Sequence, residues 1–135
     1  MSLLVVGSMA FDAIETPFGK TDKIVGGAAT YISLSAANFV NDIRLVAVVG
    51  GDFPKKTIYD LKERGIRTEG LQIKEDEKSF FWSGRYHNDM NSRDTLVTEL
   101  NVLENFDPII PPSYQNSDYV MLGNLTPTVQ RQVIE

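Results

Sequence analysis

The residues of this chain most able to do chemistry cluster around two glycine turns. Gly26-Gly27-Ala28-Ala29-Thr30-Tyr31 lies between an extended segment and an apolar helical pattern. Two glycines let the backbone turn sharply and leave no side chains above it. The helix that follows aims its free N–H groups at the same spot. A second turn, Gly50-Gly51-Asp52, ends the next apolar strand. Two such turns in this order begin to describe a site. Upstream stands Asp12, whose carboxylate can accept charge-assisted hydrogen bonds from two neighbouring hydroxyls. Read alone, Asp12 is a solvated loop side chain, Gly26-Gly27 a tight strand-to-helix turn, and Asp52 a helix N-cap.

The elements that position these residues follow from periodicity. Leu3 to Val6 and Ile43 to Val49 are continuous apolar runs, the second broken only by Arg44, as expected of strands covered on both faces. Residues 8–25 read as a loop with one or two short strands. Ala28 to Val40 is apolar nearly all round, which predicts a buried helix. Pro54 opens a second helix that carries Ile58 and Leu61 and stops at Gly65. Strand, excursion, helix, strand, helix implies α/β with a largely parallel sheet. From Leu71 to Leu103 the rhythm changes. Lys78–His87 and Thr95–Val102 read as an antiparallel ribbon around Asn88-Asp89-Met90-Asn91, with Phe80, Trp82 and Tyr86 on one face. Asp118 to Leu122 is another buried strand, and Thr126-Pro127 opens a last helix.

Composition limits the classes. The chain has 135 residues, 42% hydrophobic and 23% charged, and reads as one globular domain. No apolar run approaches the roughly 18 residues of a spanning helix, and no basic stretch heads the chain, so neither membrane nor secretion is expected. With no cysteine there is no disulfide, thiolate metal site or thiol nucleophile, which fits a reducing cytoplasm. A net charge of −5 argues against nucleic acid. There is no Gly-x-x-x-x-Gly-Lys-Ser/Thr loop, and Gly7 opens no Gly-x-Gly-x-x-Gly run. His87 has no companion for a metal and is read as surface. Asn124-Leu125-Thr126 matches the glycosylation pattern by chance. The chain stops at Glu135, part-way through an amphipathic helix, with Val129, Val133 and Ile134 still lacking a partner. It therefore reads as the front portion of a longer protein.

Taken together, Gly7-Ser8-Met9-Ala10-Phe11-Asp12, Gly26-Gly27, Val49-Gly50-Gly51-Asp52, Arg64-Gly65-Ile66 and the ribbon resemble the N-terminal part of the PfkB/ribokinase family of sugar and nucleoside kinases. The resemblance implies a ribokinase-like α/β sheet flanked by helices, with lid segments at about 11–25 and 70–104 and an ATP-binding part beyond Glu135. It implies ATP-dependent phosphorylation of a sugar or nucleoside hydroxyl, with Mg2+, in the full-length protein. Asp12, Gly26, Gly27 and Tyr31 are then the substrate-binding positions. Tyr31 stands where the family usually has an asparagine, a departure that leaves the substrate open. The family's catalytic aspartate lies in a C-terminal Gly-Ala-Gly-Asp motif that has no counterpart here. The base is thus expected beyond Glu135, no catalytic residue is assigned within the chain, and the chain by itself is expected to be inactive. The lid aromatics Phe81, Trp82 and Tyr86 are core or dimer contacts on this view, and the ribbon is a surface for a homodimer. Arg85 is positioned to meet an anionic group. The alternative is a non-catalytic polyol-binding or dimerisation module of the same fold.

Overall fold

A computed structural model describes residues 1–135. The two apolar runs become β1 (Ser2–Val6) and β5 (Asp42–Gly50), paired in parallel. The strand β6 (Ile66–Lys74) adds to β5, and β9 (Tyr119–Leu122) adds to β1. The sheet order is thus β6-β5-β1-β9, all parallel. Alternation along the strands explains why the runs carry no polar face. Val5, Ile43, Leu45, Ala47 and Val49 enter one core cluster, while Leu4, Val6, Val46 and Val48 enter another on the opposite side. The helices α1 (Ala28–Ala36) and α2 (Lys55–Glu63) cover the first side, with Ala29 and Leu61 in its core. The second side is covered by Val102, Phe106, Tyr114 and α3 (Pro127–Ile134), which contributes Val129 and Val133. Each fully buried Leu, Ile or Val contributes about 1.5–3 kcal/mol of hydrophobic burial. Arg44 is tolerated inside an apolar strand because its guanidinium donates to Asp42 at 2.8 Å and to Asn116 at 2.9 Å and Ser117 at 3.1 Å. No helix is long and apolar enough to cross a membrane.

A second sheet, of five strands, follows from the end of β1. It contains β2 (Ala10–Thr16), β3 (Gly19–Lys20), β4 (Ile24–Gly26), β7 (Phe80–Tyr86) and β8 (Arg93–Glu99). β2 runs parallel to β7, which turns back into the antiparallel β8; β3 and β4 pair with the other edge of β2.

The structure departs from the sequence reading in five places. Residues 8–25 form three strands where one or two were expected, because β2 is long enough to pair on both edges. Residues 70–74, assigned to the lid, are the end of β6 in the first sheet. The helix expected over Ala28–Val40 ends at Ala36, and Tyr31 and Phe39 are exposed, since core lies against only one of its sides. The strand near the C-terminus is exposed rather than buried, because β9 is an edge. Finally, Asp52 does not cap α2. Pro54 takes the N-cap position with no side-chain bond.

Asp52 instead accepts hydrogen bonds from the amide and hydroxyl of Ser79, both at 2.8 Å. The Ser79 hydroxyl accepts in turn from the buried amide of Gly50 at 2.9 Å. This strap joins the end of β5 to the start of β7. Ser79→Ala would strand the Gly50 N–H in the interior, a cost of about 1–3 kcal/mol. The expected result is a lower urea midpoint at unchanged m-value; an unchanged midpoint would show that the strap carries no stability.

Candidate functional site

The site forms where the end of β1, the bend before α1 and the inner face of the second sheet meet. Gly27 is the bend, with φ at +96° and its amide plane turned so that α1 can start immediately. A Cβ here would run into the main chain of Ser8, Met9 and Ala10. Gly26, one residue earlier, is needed for a different reason. The carboxyl group of Asp12 lies directly on its α-carbon, in the space a Cβ would take. Cross-strand register produces this contact, because Ala10 sits opposite Gly26 and Asp12 opposite Ile24 in the β2–β4 pair. On the other edge of β2, Asp12 is level with Trp82.

Asp12, Gly27 and Tyr31 line one cavity of about 370 Å3, which Ser8, Trp82, Arg93 and Asn124 also line. Its size is ordinary for a small-molecule site. Asp12 is half-buried, and burial alone pushes its carboxyl pKa upward, with no hydrogen bond or opposite charge offsetting it. The Arg93 guanidinium lies 5.6 Å from the centre of the Trp82 ring, a cation–π arrangement. The cavity thus offers one unpaired carboxylate, one cation and an aromatic wall. Such a constellation is chemically able to hold a hydroxylated molecule by hydrogen bonds to a carboxylate and stacking on an aromatic ring.

The helix start is less bare than the sequence implied. The Ala28 amide donates to the Ser8 hydroxyl at 3.2 Å and the Ala29 amide to the Ser8 carbonyl at 2.9 Å. Tyr31 keeps its ring exposed, and its hydroxyl donates to the Val25 carbonyl at 3.3 Å. Arg85 does not face the cavity; it pairs with Glu15 at 3.3 Å on the outer side of the sheet. A larger furrow beside that pair, lined by residues 15–17 and 85–89, carries no unpaired charged cluster of its own. Phe81 also points away, under the Lys23 ammonium at 4.5 Å. His87 is exposed and lies 3.0 Å from Asp94. No three His, Asp or Glu side chains converge as a metal site would require.

Glu135, beyond which the sequence reading put the catalytic base, takes no part in the site itself. It is exposed at the end of α3, where its carboxylate accepts from the Arg131 guanidinium at 2.6 Å, one helical turn back. It does not line the Asp12 cavity. The pairing follows from i,i+4 spacing on a helix and is a surface contact of small worth.

Sequence reasoning missed Asn124. It follows β9, and its Oδ1 accepts the Ser8 hydroxyl at 2.7 Å, leaving the amide NH2 as a donor beside the cavity. Only its position just past an apolar strand could have drawn attention to it. In open parallel sheets the carboxyl ends of strands are where ligands bind.

Two expectations separate the glycines and isolate the carboxylate. Gly27→Ala meets main chain and a left-handed backbone, so it should lose at least about 1–3 kcal/mol of stability. Gly26→Ala meets only the movable Asp12 side chain and should leave stability nearly unchanged; equal losses in chemical denaturation would contradict this geometry. Asp12→Asn should unfold at a higher temperature than the parent at neutral pH. The raised carboxyl pKa means that the penalty for the ionised form is full above the folded value and gone below the ordinary 3.8. The advantage of the variant should therefore shrink as pH falls toward 4, and a gap that widened on acidification would refute the buried-carboxylate account.

No family model matches the chain. It is 29% identical, over an alignment of 135 positions that covers 99% of its length, to a cytidine kinase of Thermococcus kodakarensis. It spans about half of that relative, 47% of its length. Among solved structures, it superposes on the ribokinase of Cryptococcus neoformans in complex with ADP with a TM-score of 0.76 at 19% identity, covering 98% of this chain and 45% of the other. The Methanocaldococcus jannaschii nucleoside kinase, an archaeal member of the ribokinase family, gives a TM-score of 0.74 at 22% identity, covering 98% and 48%. The likeness read from the motifs stands at the level of architecture: this chain has the ribokinase-like α/β fold, over just under half the length of the kinases that share it.

Proposed function

We propose that this chain is the acceptor-binding part of an ATP-dependent kinase acting on a sugar or nucleoside hydroxyl, and that its second sheet serves as a lid. The observation that carries the reading is Asp12. It is a half-buried carboxylate without a protein partner, seated on Gly26 and facing a cavity walled by the bend and by Trp82. A buried acceptor group left open in this way matches a pair of ligand hydroxyls. The fold shared with ribokinase and nucleoside kinases, and the likeness to a cytidine kinase, support the same reading.

The residues of this chain would bind, orient and shield the acceptor. Asp12 would accept two of its hydroxyl protons as hydrogen bonds, Asn124 would donate through its amide NH2, and Trp82 would cover one face. Movement of the second sheet toward α1 would exclude water. Phosphoryl transfer needs charge stabilisation around the γ-phosphate, which ATP with Mg2+ would bring when bound. The contribution of this chain's own residues would be positioning of the acceptor. The base that takes the acceptor's proton would come from sequence past Glu135. We place the protein in the cytoplasm, as the absence of cysteine suggests.

The test is calorimetric titration with a panel of sugars and nucleosides. A binding acceptor should lose at least about tenfold in affinity, roughly 1.4 kcal/mol, in both Asp12→Asn and Gly26→Ala, although the second keeps the carboxylate and only displaces it. Unchanged affinity in Asp12→Asn would remove the site assignment. The 135-residue chain alone should transfer no labelled phosphate from ATP to any member of the panel; transfer would overturn the purely positioning role.

A further inference from the structure

Gly26-Gly27 is the joint between the second sheet and α1, and both of its carbonyls are held by the first turn of that helix. The Gly26 carbonyl accepts from the buried Thr30 hydroxyl at 2.8 Å, and the Gly27 carbonyl from the Tyr31 amide at 3.3 Å. One residue further back, the Val25 carbonyl accepts from the Tyr31 hydroxyl at 3.3 Å. This last bond differs in kind from the others. Thr30 is 2% exposed, whereas Tyr31 is 58% exposed and belongs to neither core cluster. The Tyr31 ring stands between the Asp12 cavity and a groove of about 490 Å3 beside Ile32 and Met121. No core packing fixes the ring, so its hydroxyl is what ties it to the second sheet.

We propose that Tyr31 is a positioning residue, whose hydroxyl latches β4 to α1 across the bend and thereby sets where the Asp12 carboxyl group stands in the cavity. The sequence alone put Tyr31 among the substrate-binding positions; the latch gives it an indirect part in binding instead of a contact of its own. The route from Tyr31 to Asp12 is short. Val25 is paired with Phe11, the neighbour of Asp12 on β2, and Gly26 lies under the Asp12 carboxyl group. A pair of glycines is by itself a loose joint, because each has wide backbone freedom. Fixing that joint before a ligand arrives lowers the ordering cost of binding. An exposed bond of this kind is also weak enough to break when the second sheet moves, and the adjoining groove gives the ring somewhere to go. The consequence for affinity rests on the acceptor reading above; the latch does not.

The experiment compares the parent with Tyr31→Phe, which keeps the ring and removes only the hydroxyl. Amide hydrogen exchange at residues 24–26 should be at least threefold faster in Tyr31→Phe, with β1 and β5 unchanged. D-ribose, cytidine and inosine are then titrated into the parent, Tyr31→Phe, Asp12→Asn and the double variant. A probe that binds should lose roughly threefold or more in affinity in Tyr31→Phe, as the loss of one neutral hydrogen bond allows. In the Asp12→Asn background the same change should cost less than twofold, since a residue acting through the carboxylate then has nothing left to position. Equal losses in both backgrounds would overturn the proposal by making Tyr31 a ligand contact in its own right. Unchanged exchange at residues 24–26 would overturn it by showing that the hydroxyl holds nothing. Should none of the three probes bind, or should binding ignore Asp12→Asn, the acceptor reading fails, and the exchange result alone supports the latch or removes it.

Discussion

One serine holds the site region in place. The Ser8 carbonyl and hydroxyl receive the first two amides of α1, and the hydroxyl donates to Asn124 beyond β9. Three chain segments distant in sequence, the end of β1, the start of α1 and the loop before α3, thereby meet at a single residue that is itself 1% exposed. The orphan amides at a helix start must find an acceptor, and here the acceptor comes from the neighbouring strand end rather than from a side-chain cap. Gly27 is the condition for this arrangement, because only a residue without Cβ lets the helix begin in contact with the main chain of Ser8, Met9 and Ala10.

From that point the two sheets divide the work. The parallel sheet is a rigid base whose strands are covered on both faces, with alternate residues in separate core clusters. The second sheet packs Phe11 and Val25 against the first core cluster, with the Phe11 ring 5.6 Å from that of Phe53. It is also joined through the β1–β2 link, through the bend at Gly26-Gly27, and through the Asp52–Ser79–Gly50 strap. Parallel pairing of β2 with β7 then sets Asp12 level with Trp82, and the antiparallel β8 brings Arg93 opposite Tyr86. A carboxylate, an aromatic wall and a cation thus reach one cavity from three strands. Precise placement of polar groups on strands suits a binding site, since the pleat fixes the direction of each side chain.

Much of this was legible from residue order. The unbroken apolar runs at Leu3–Val6 and Ile43–Val49 demanded cover on both faces, and they obtained it because a parallel sheet is sandwiched by its own crossovers. Gly65 ended α2 as glycine after a last turn does, at φ +81°. Thr126 capped α3, its hydroxyl accepting from Val129 at 3.4 Å. Other elements misled for identifiable reasons. Apolar residues from Ala28 to Val40 were equally consistent with a long buried helix, but the number of sides a helix buries depends on what packs around it. Asp52 before Pro54 looked like a cap, yet a carboxylate chooses among all donors in reach, and the buried Ser79 amide and hydroxyl were nearer.

The sequence by itself determined the alternation of elements, the placement of the glycine turns and the chemistry available at Asp12, because these depend on local backbone geometry and on hydrophobic period. Only tertiary structure decided which groups share a cavity. It seated the carboxyl group on Gly26, turned Arg85 outward to Glu15, and brought in Arg93 and Asn124. The physical reason is that strand register and cross-sheet packing connect residues as much as 116 positions apart, and no local pattern encodes a distance of that kind.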